Sequence, residues 1–241
     1  LFPEGWRAAP DWSAVLIARA TFVAVGRDGA ASRWQRYAAG AFVAAAIVAG
    51  AFVGPVAGWW REAGDAGDAM AEGPNPASEP VMLTQRQLLD DTLADLDDGR
   101  PGTIDLYFVG FGGDVADVAL AGEIEAAGQA LADIYGADGR TLALVNHPAT
   151  LLSKPIATVT NLREALSEIG AAIDPDEDVV MVYLAGRGDG EGLATRLPPL
   201  ELLPLTPSTL DALFDEAGIR WLVIVVDACD AGDWIGALAD D

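Results

Sequence analysis

The sequence predicts an α/β protein: an open, mostly parallel sheet with helices on both faces, preceded by one transmembrane helix. In the C-terminal two thirds, four short apolar runs alternate with amphipathic segments, as in βα units. Each run is almost continuously apolar, which is typical of parallel strands buried on both faces. Upstream, residues 37–60 form a stretch of 24 residues without a charge. That is longer than the ~20 residues a helix needs to cross a bilayer's hydrocarbon layer.

The first 36 residues predict a cytoplasmic N-terminal segment. Within it, residues 11–26 (DWSAVLIARATFVAVG) are largely apolar, which predicts an amphipathic helix on the inner membrane surface. Residues 1–60 have a charge of +2, whereas the remaining 181 residues carry −25. Because a surface this acidic repels phosphate backbones, we expect no nucleic-acid partner.

Residues 37–60 have the flanks of a membrane span. Arg33 and Arg36 precede the span, and Trp59 and Trp60 close it as interfacial aromatic residues do. The positive-inside rule then predicts a single-pass protein of the inner (cytoplasmic) membrane, with a cytoplasmic N-terminus and an extracytoplasmic C-terminal domain. A buried Ala-rich helix of a soluble domain and a cleaved signal peptide are the alternatives.

The span and the segment after it carry two further signals. Gly50, Gly54 and Gly58 recur every four residues, a spacing that indicates a helix-pairing face and hence a homodimer. Residues 61–80 are rich in Gly, Ala, Pro and acidic residues and predict a linker. Residues 81–241 then form the soluble domain.

Helices and strands alternate regularly in the soluble domain. The predicted helices span residues 84–96, 115–136, 160–173 and 206–218. The predicted strands span residues 103–111, 141–147, 179–186 and 221–228. Thr84 is expected to cap the first helix, and Gly136 and Gly218 to end the second and fourth. In an open parallel sheet the ligand site lies at the carboxyl ends of the strands.

One of these strand ends carries the only cysteine of the chain. The last strand runs into Ala-Cys229-x-x-Gly and then a helix. We therefore expect the sulfur near a helix N-terminus, where the dipole favours a thiolate and N–H groups stabilise an oxyanion. A buried structural cysteine is the alternative. With one cysteine and one histidine, His147, an intrachain disulfide and a Cys/His zinc site are excluded, and we expect no metal or cofactor.

Several stretches of residues 84–241 resemble the bacterial branch of the C13 peptidases, the legumain-like cysteine peptidases of the caspase–gingipain clan. They are 105–114 (DLYFVGFGGD), 139–151, 156–166, 174–184, 193–221 and 225–241 (VVDACDAGDWIGALADD). The resemblance implies a membrane-anchored domain with a caspase/legumain-like sheet of strand order 2-1-3-4. It also implies that the C-terminal part of the domain is missing after Asp241, which would leave a sheet edge exposed.

The resemblance assigns roles to three residues. In that family one strand ends in His-Gly and the next in Ala-Cys-x-x-Gly, with the cysteine as nucleophile and the histidine as proton carrier. By that correspondence Cys229 is the nucleophile, and the backbone N–H of Gly188 serves the oxyanion. The position of the histidine is occupied by Arg187.

Arginine at this position changes the expected chemistry. Its charge can lower the pKa of a nearby thiol, but its guanidinium has no acceptor lone pair and does not deprotonate. General acid–base catalysis contributes ~10²–10⁴-fold. We therefore expect an impaired peptidase that acts by binding peptide or protein, with Arg187 in an ion pair with Asp227 or Asp230. His147, three strands from Cys229, is expected to cap a loop.

Three other functions stay open. An active cysteine endopeptidase would use Cys229 for acyl transfer and cleave after Asn or Asp, as the resemblance implies. A Ca²⁺ module fits the oxygen-rich chemistry of four carboxylates: Asp189, Asp227, Asp230 and Asp233. A dinucleotide site at 110–114 (GFGGD) lacks the third glycine of the usual fingerprint. The adhesion tripeptide spelled by residues 187–189 is interpreted as a coincidence, since it has no supporting context.

Overall fold

A computed structural model describes residues 73–117, 119–188, 191–229 and 231–238, together with the backbone of residues 21–26. The predicted membrane span at 37–60, with its glycines, lies outside the described residues, as does the linker up to residue 72. Among the helices that are described, none is long and apolar enough to cross a membrane.

Five strands form one sheet in the described part of the chain. In chain order they are β1 (Thr21–Gly26), β2 (Leu106–Gly112), β3 (Thr141–Val145), β4 (Val179–Ala185) and β5 (Trp221–Asp227). Their order across the sheet is β1-β5-β4-β2-β3. Strands β2 to β5 are parallel to one another, which confirms the predicted open, mostly parallel sheet. Their order is the 2-1-3-4 arrangement that the resemblance implied.

Helices cover both faces of the sheet, as predicted. They are α1 (Glu79–Ala94), α2 (Leu120–Tyr135), α3 (Val159–Ala172), α4 (Pro207–Ala217) and α5 (Gly232–Leu238). Helix α2 packs on one face, where Ile124 and Leu131 join Phe108 of β2. The other four helices contribute to the larger core on the opposite face, around Tyr107 and Phe111. All seven residues of β2 are buried, because this central strand is covered on both sides.

Local capping explains where the helices begin and end. The hydroxyl oxygens of Thr158 and Thr206 accept hydrogen bonds from backbone N–H groups in the first turns of α3 and α4, at 3.0 and 3.1 Å. Such caps stabilise a helix by about 1 kcal/mol each. Gly136 and Gly218 adopt left-handed φ angles of 67° and 68° and end α2 and α4, which confirms both predicted ends.

The predicted start of the first helix is wrong. Helix α1 begins at Glu79, after Ser78, and Thr84 lies within it. Pro80 is the reason, because its fixed φ suits the first turn of a helix and its missing N–H costs nothing there. The linker therefore ends at residue 78, two residues earlier than predicted.

The prediction of an amphipathic helix over residues 11–26 is wrong for residues 21–26, which form β1. Strand β1 runs antiparallel to β5, with Thr21 opposite Val226 and Gly26 opposite Trp221. The sequence TFVAVG favours this outcome, because β-branched and aromatic residues prefer extended backbone. Strand β1 thus covers the edge of β5 that was expected to be exposed.

Buried charges hold the amino end of the sheet. Asp105, just before β2, accepts hydrogen bonds from the backbone N–H of Arg100 at 2.6 Å and from its Nε at 2.9 Å. Asp178, just before β4, accepts from the N–H groups of Asp105 and Asp174, both at 2.8 Å. Arg140, just before β3, donates through Nη2 to the carbonyl of Asp98 at 2.6 Å. Loops that enter the strands are thereby fixed to one another.

Candidate functional site

The predicted site lies where β4 and β5 end side by side. These strands are parallel neighbours, so their carboxyl ends meet at one edge of the sheet. Cys229 follows β5 by two residues, is exposed, and carries a free thiol. Helix α5 begins at Gly232, three residues beyond the cysteine, so the sulfur stands in the turn ahead of the helix.

Gly188 contacts the backbone of Cys229. A Cβ atom at position 188 would overlap the carbonyl oxygen of Cys229, so only glycine allows the two strand ends this close. One step earlier, the N–H of Gly186 donates to the carbonyl of Asp227 at 3.2 Å. The structure therefore brings together the two short motifs, Arg187-Gly188 and Ala228-Cys229, that the sequence singled out.

The backbone at Arg187 is fixed by the chain that follows it. Its carbonyl accepts a hydrogen bond from the N–H of Ala194 at 2.8 Å. Leu193, next to Ala194, exchanges hydrogen bonds of 2.8 and 2.9 Å with Leu205. Residues 193–205 thus form a folded connection beside the site, and Leu193 and Leu205 are fully buried within it.

The side chain of Arg187 lies near the residues that follow β2. Its Nε lies 3.7 Å from Oδ2 of Asp114, at the end of β2. The Arg187 side chain is 62% exposed, whereas that of Asp114 is 3% exposed. The other oxygen of Asp114 accepts from the N–H of Ala116 at 3.0 Å, which fixes the orientation of the carboxylate. Strand β4 lies between β2 and β5, so Arg187 has Asp114 on one side and Asp227 on the other.

The predicted Arg187–Asp227 ion pair differs from what is observed, and Asp230 lies outside the described residues. Asp227 instead accepts a hydrogen bond from the hydroxyl of Tyr183 on β4, at 3.1 Å. Burial raises the pKa of Asp227, the bond from Tyr183 works against that rise, and the negative charge of Asp117 adds to it. Asp227 thus has its hydrogen-bond donor on β4, whereas among the described residues the charged partner of Arg187 is Asp114.

Tyr183 and Glu123 share the surroundings of Asp227. Burial raises the pKa of the Tyr183 hydroxyl, and the nearby charge of Asp227 raises it further. Burial also raises the pKa of Glu123, helped by repulsion from Asp117 and Asp227. Partly buried carboxyl groups therefore cluster at the carboxyl end of β5, on the α2 side of the sheet.

His147 caps a loop, as predicted. Its Nδ1 accepts a hydrogen bond from the N–H of Ala149 at 3.1 Å and caps the short 3-10 helix Pro148–Thr150. Burial lowers the pKa of its imidazole. His147 follows β3, three strands from β5, which amounts to about 14 Å at ~4.8 Å per strand. It is therefore far beyond hydrogen-bond reach of Cys229.

Sequence reasoning missed Asp114, Tyr183 and Glu123. Asp114 follows Gly112-Gly113 at a strand end, where its sequence context indicates a dinucleotide motif and gives no sign of a partner for Arg187. The partner of Asp227, Tyr183, lies four residues before Arg187 in an apolar strand, where its hydroxyl gave no signal. Only the alternation of side chains across neighbouring parallel strands pairs these positions.

The alternative sites gain no support from the described residues. Among these residues, no group of three or more His, Cys, Asp or Glu side chains is placed to hold a metal ion. For the Ca²⁺ hypothesis, Asp189, Asp230 and the side chain of Asp233 lie outside what is described. At the end of β3, the buried amide of Asn146 is fully occupied in holding loops, with bonds of 3.0 Å to Gly113 and Ala157. It is not free to bind a ribose.

The site can therefore offer an exposed thiol, a neighbouring guanidinium and a cluster of carboxyl groups. Within the described part of the chain, no histidine stands close enough to the thiol to move a proton. A scan against models of known protein families, a search of curated proteins and a search of solved structures each found no match.

Proposed function

We propose that residues 81–241 form a C13 peptidase-like domain that binds peptide or protein at the carboxyl ends of β4 and β5, with impaired turnover. The contact between Gly188 and the carbonyl of Cys229 is the observation that carries this proposal. It supports a single site built from Arg187-Gly188 and Cys229, the positions to which the resemblance assigns catalytic roles.

Turnover is impaired because Arg187 stands where the resemblance places the proton-carrying histidine. A cysteine peptidase must protonate the leaving amine, and arginine does not release its proton near neutral pH. His147 is held in a cap on the far strand. Loss of general acid–base catalysis removes ~10²–10⁴-fold in rate. Binding does not require that step, so it survives the substitution.

Asp114 supports an ancestral catalytic geometry in the same place. A catalytic base is oriented by a third group, and the buried Asp114 carboxylate points at the side chain of residue 187. A histidine at position 187 would find that carboxylate in place. The domain therefore retains a nucleophile and an orienting acid around a substituted base.

An active cysteine endopeptidase that cleaves after Asn or Asp is the second candidate. The exposure of Cys229 favours it, because a reactive thiol must be accessible. The two candidates share one site and differ only in whether a substrate leaves it cleaved. The membrane anchor at residues 37–60 and the inner-membrane location remain predictions.

Peptide turnover by the full chain separates the two candidates. We would assay Asn- and Asp-containing fluorogenic peptides from pH 5 to 8 with the natural protein, Cys229→Ala, Arg187→His and the double variant. We expect no turnover above Cys229→Ala for the natural protein and at least a 10²-fold gain for Arg187→His, lost again in the double variant.

His147→Gln is the matched control, because it changes the only natural histidine without touching the site. It should leave the activity of Arg187→His unchanged. Turnover by the natural protein that disappears in Cys229→Ala would overturn the impaired-enzyme proposal in favour of the second candidate. Failure of Arg187→His to gain activity, with binding also absent, would contradict both.

A further inference from the structure

The outer edge of β3 presents backbone groups that none of the described strands uses. The N–H of Phe108 donates to the carbonyl of Arg140, and the N–H of Asn146 donates to that of Gly112, both at 2.9 Å. Residues 140, 142, 144 and 146 therefore turn their backbone groups towards β2. By the alternation of a parallel ladder, Thr141 and Ala143 turn theirs away from the sheet.

The open edge is short and well defined. At its far end, the N–H of Val145 donates to the carbonyl of Pro155 at 2.9 Å, so the chain itself closes the edge there. Within the described residues, the outward N–H and C=O groups of Thr141 and Ala143 have no backbone partner. Two donors and two acceptors thus lie along about 7 Å of strand.

A cleft of about 290 Å³ runs along this edge. One wall is α2, with Gly128 and Gln129, and the other includes Ser153 and Thr92. Gly128 lets α2 lie close to the edge strand, because a Cβ atom there would already contact Phe108 at 3.4 Å and Thr141 at 3.8 Å. An edge strand beside a helix is the geometry in which peptides add a strand to a sheet, and the cleft then receives alternate side chains.

The rim of the cleft is acidic. Glu125 and Asp138 both line it, and Asp138 is exposed. Lys154 is the one cation in the lining, and its Nζ lies 3.1 Å from Oε2 of Glu125, so that charge is already paired. A carboxylate is left for a ligand, which favours a basic side chain and disfavours an acidic one.

We propose that the outer edge of β3 and its cleft bind an extended peptide segment that carries Lys or Arg, as an added strand. The main-chain groups of Thr141 and Ala143 supply the hydrogen bonds, and Asp138 selects the basic side chain. Strand β3 forms the other edge of the sheet, three strands from β5. The inference therefore does not rest on the function proposed for Cys229.

Two blocked hexapeptides of alternating Val and Thr, with Lys or Glu at one central position, provide the probe. Binding to the full chain would be followed by fluorescence anisotropy of dye-labelled peptides and by amide hydrogen exchange. We expect the Lys peptide to bind at least 10-fold more tightly than the Glu peptide. We also expect it to slow exchange at the N–H groups of Thr141 and Ala143.

Three variants sharpen the test. Ala143→Pro removes an outward N–H without losing a bond to β2, and it should weaken binding at least 10-fold. Asp138→Asn should reduce the preference for Lys over Glu while leaving exchange protection in place. Cys229→Ala should leave the affinity for the Lys peptide and the exchange at Thr141 and Ala143 as they are, which separates this edge from the site on β5.

Methylation of the peptide keeps the test decisive if Ala143→Pro fails to fold. One peptide is N-methylated at the alternate residues that face β3, which blocks their hydrogen bonds. The other is N-methylated at the residues that face away from β3, which leaves those bonds intact. Equal binding of the two methylated peptides would overturn the proposal, as would unchanged exchange at Thr141 and Ala143. Protection that rises with protein concentration alone would assign the edge to a second copy of this chain instead.

Discussion

The two ends of the parallel sheet use charged side chains in opposite ways. At the amino end, Asp105, Arg140 and Asp178 each stand immediately before a strand, are buried, and are held by hydrogen bonds to neighbouring loops. At the carboxyl end, Arg187 is 62% exposed and lies 3.7 Å from Asp114, longer than a hydrogen bond.

The charges at the amino end therefore stabilise the fold, whereas Arg187 at the carboxyl end remains accessible to solvent. Burial would raise the pKa of Asp105, but hydrogen bonds from Arg100 and the charge of Arg140 outweigh burial and hold that pKa below its usual range. The pKa of Asp227 shifts the other way, because burial and Asp117 outweigh the bond from Tyr183. Ionisation of Asp105 therefore stabilises the fold, whereas ionisation of Asp227 destabilises it.

Removing a charge from the amino end should have the largest effect on stability. Asp178→Ala leaves the N–H groups of Asp105 and Asp174 without their acceptor, which should lower the free energy of unfolding by about 3 kcal/mol. Urea unfolding measures this change. Asp176→Ala is the matched control, since its side chain is 75% exposed, and it should change stability by less than about 1 kcal/mol. Similar losses in both variants would show that the buried carboxylate of Asp178 contributes no more to stability than an exposed one.

A methyl group at position 188 should have a smaller effect, confined to the carboxyl end. Gly188→Ala forces the ends of β4 and β5 apart, which should cost about 1–3 kcal/mol and alter the rate at which an alkylating reagent modifies Cys229. Gly122→Ala, in α2 with open space around it, should instead stabilise by about 0.5–1 kcal/mol. Unchanged thiol reactivity in Gly188→Ala would show that the two strand ends do not form one site.

The stability contributions of the two ends should depend on pH in opposite directions, and this should be the smallest of the three effects. The raised pKa of Asp227 means that its contribution to stability is complete below about pH 4 and is lost as pH rises through the folded-state pKa. Asp227→Asn should therefore gain stability relative to the natural protein between pH 4 and 7. Asp105 has a lowered pKa, so its contribution is present above about pH 4 and is lost as pH falls.

Asp105→Asn should accordingly lose more stability at pH 7 than at pH 3. Thermal unfolding of both variants at matched ionic strength measures the two slopes. Slopes of the same sign would mean that the two ends do not differ in their electrostatics.

Much of the fold was predictable because its signals are local. Apolar runs gave the four parallel strands, and Gly136 and Gly218 gave two helix ends, since only glycine adopts their backbone conformation readily. The predicted cap at Thr84 was wrong because the helix already begins one turn earlier, at Glu79 and Pro80. β1 was missed because an apolar segment of 16 residues satisfies helix and strand patterns alike.

The candidate site was predictable in its backbone and less so in its side chains. Adjacent strand ends follow from topology, so Gly188 and Cys229 were expected to meet. Neighbouring strands on both sides of β4 carry a carboxylate near Arg187, and sequence spacing does not distinguish between them. In the structure Asp227 accepts from Tyr183, and Arg187 lies beside Asp114.

The pairing of β1 with β5 also bears on the predicted membrane span. Strand β1 and the domain that begins at α1 share one sheet, and strands of one sheet lie on the same side of any bilayer. A single crossing at residues 37–60 requires the antiparallel place beside β5 to be vacated by β1. That place would then be open to a strand from another part of the chain or from another molecule.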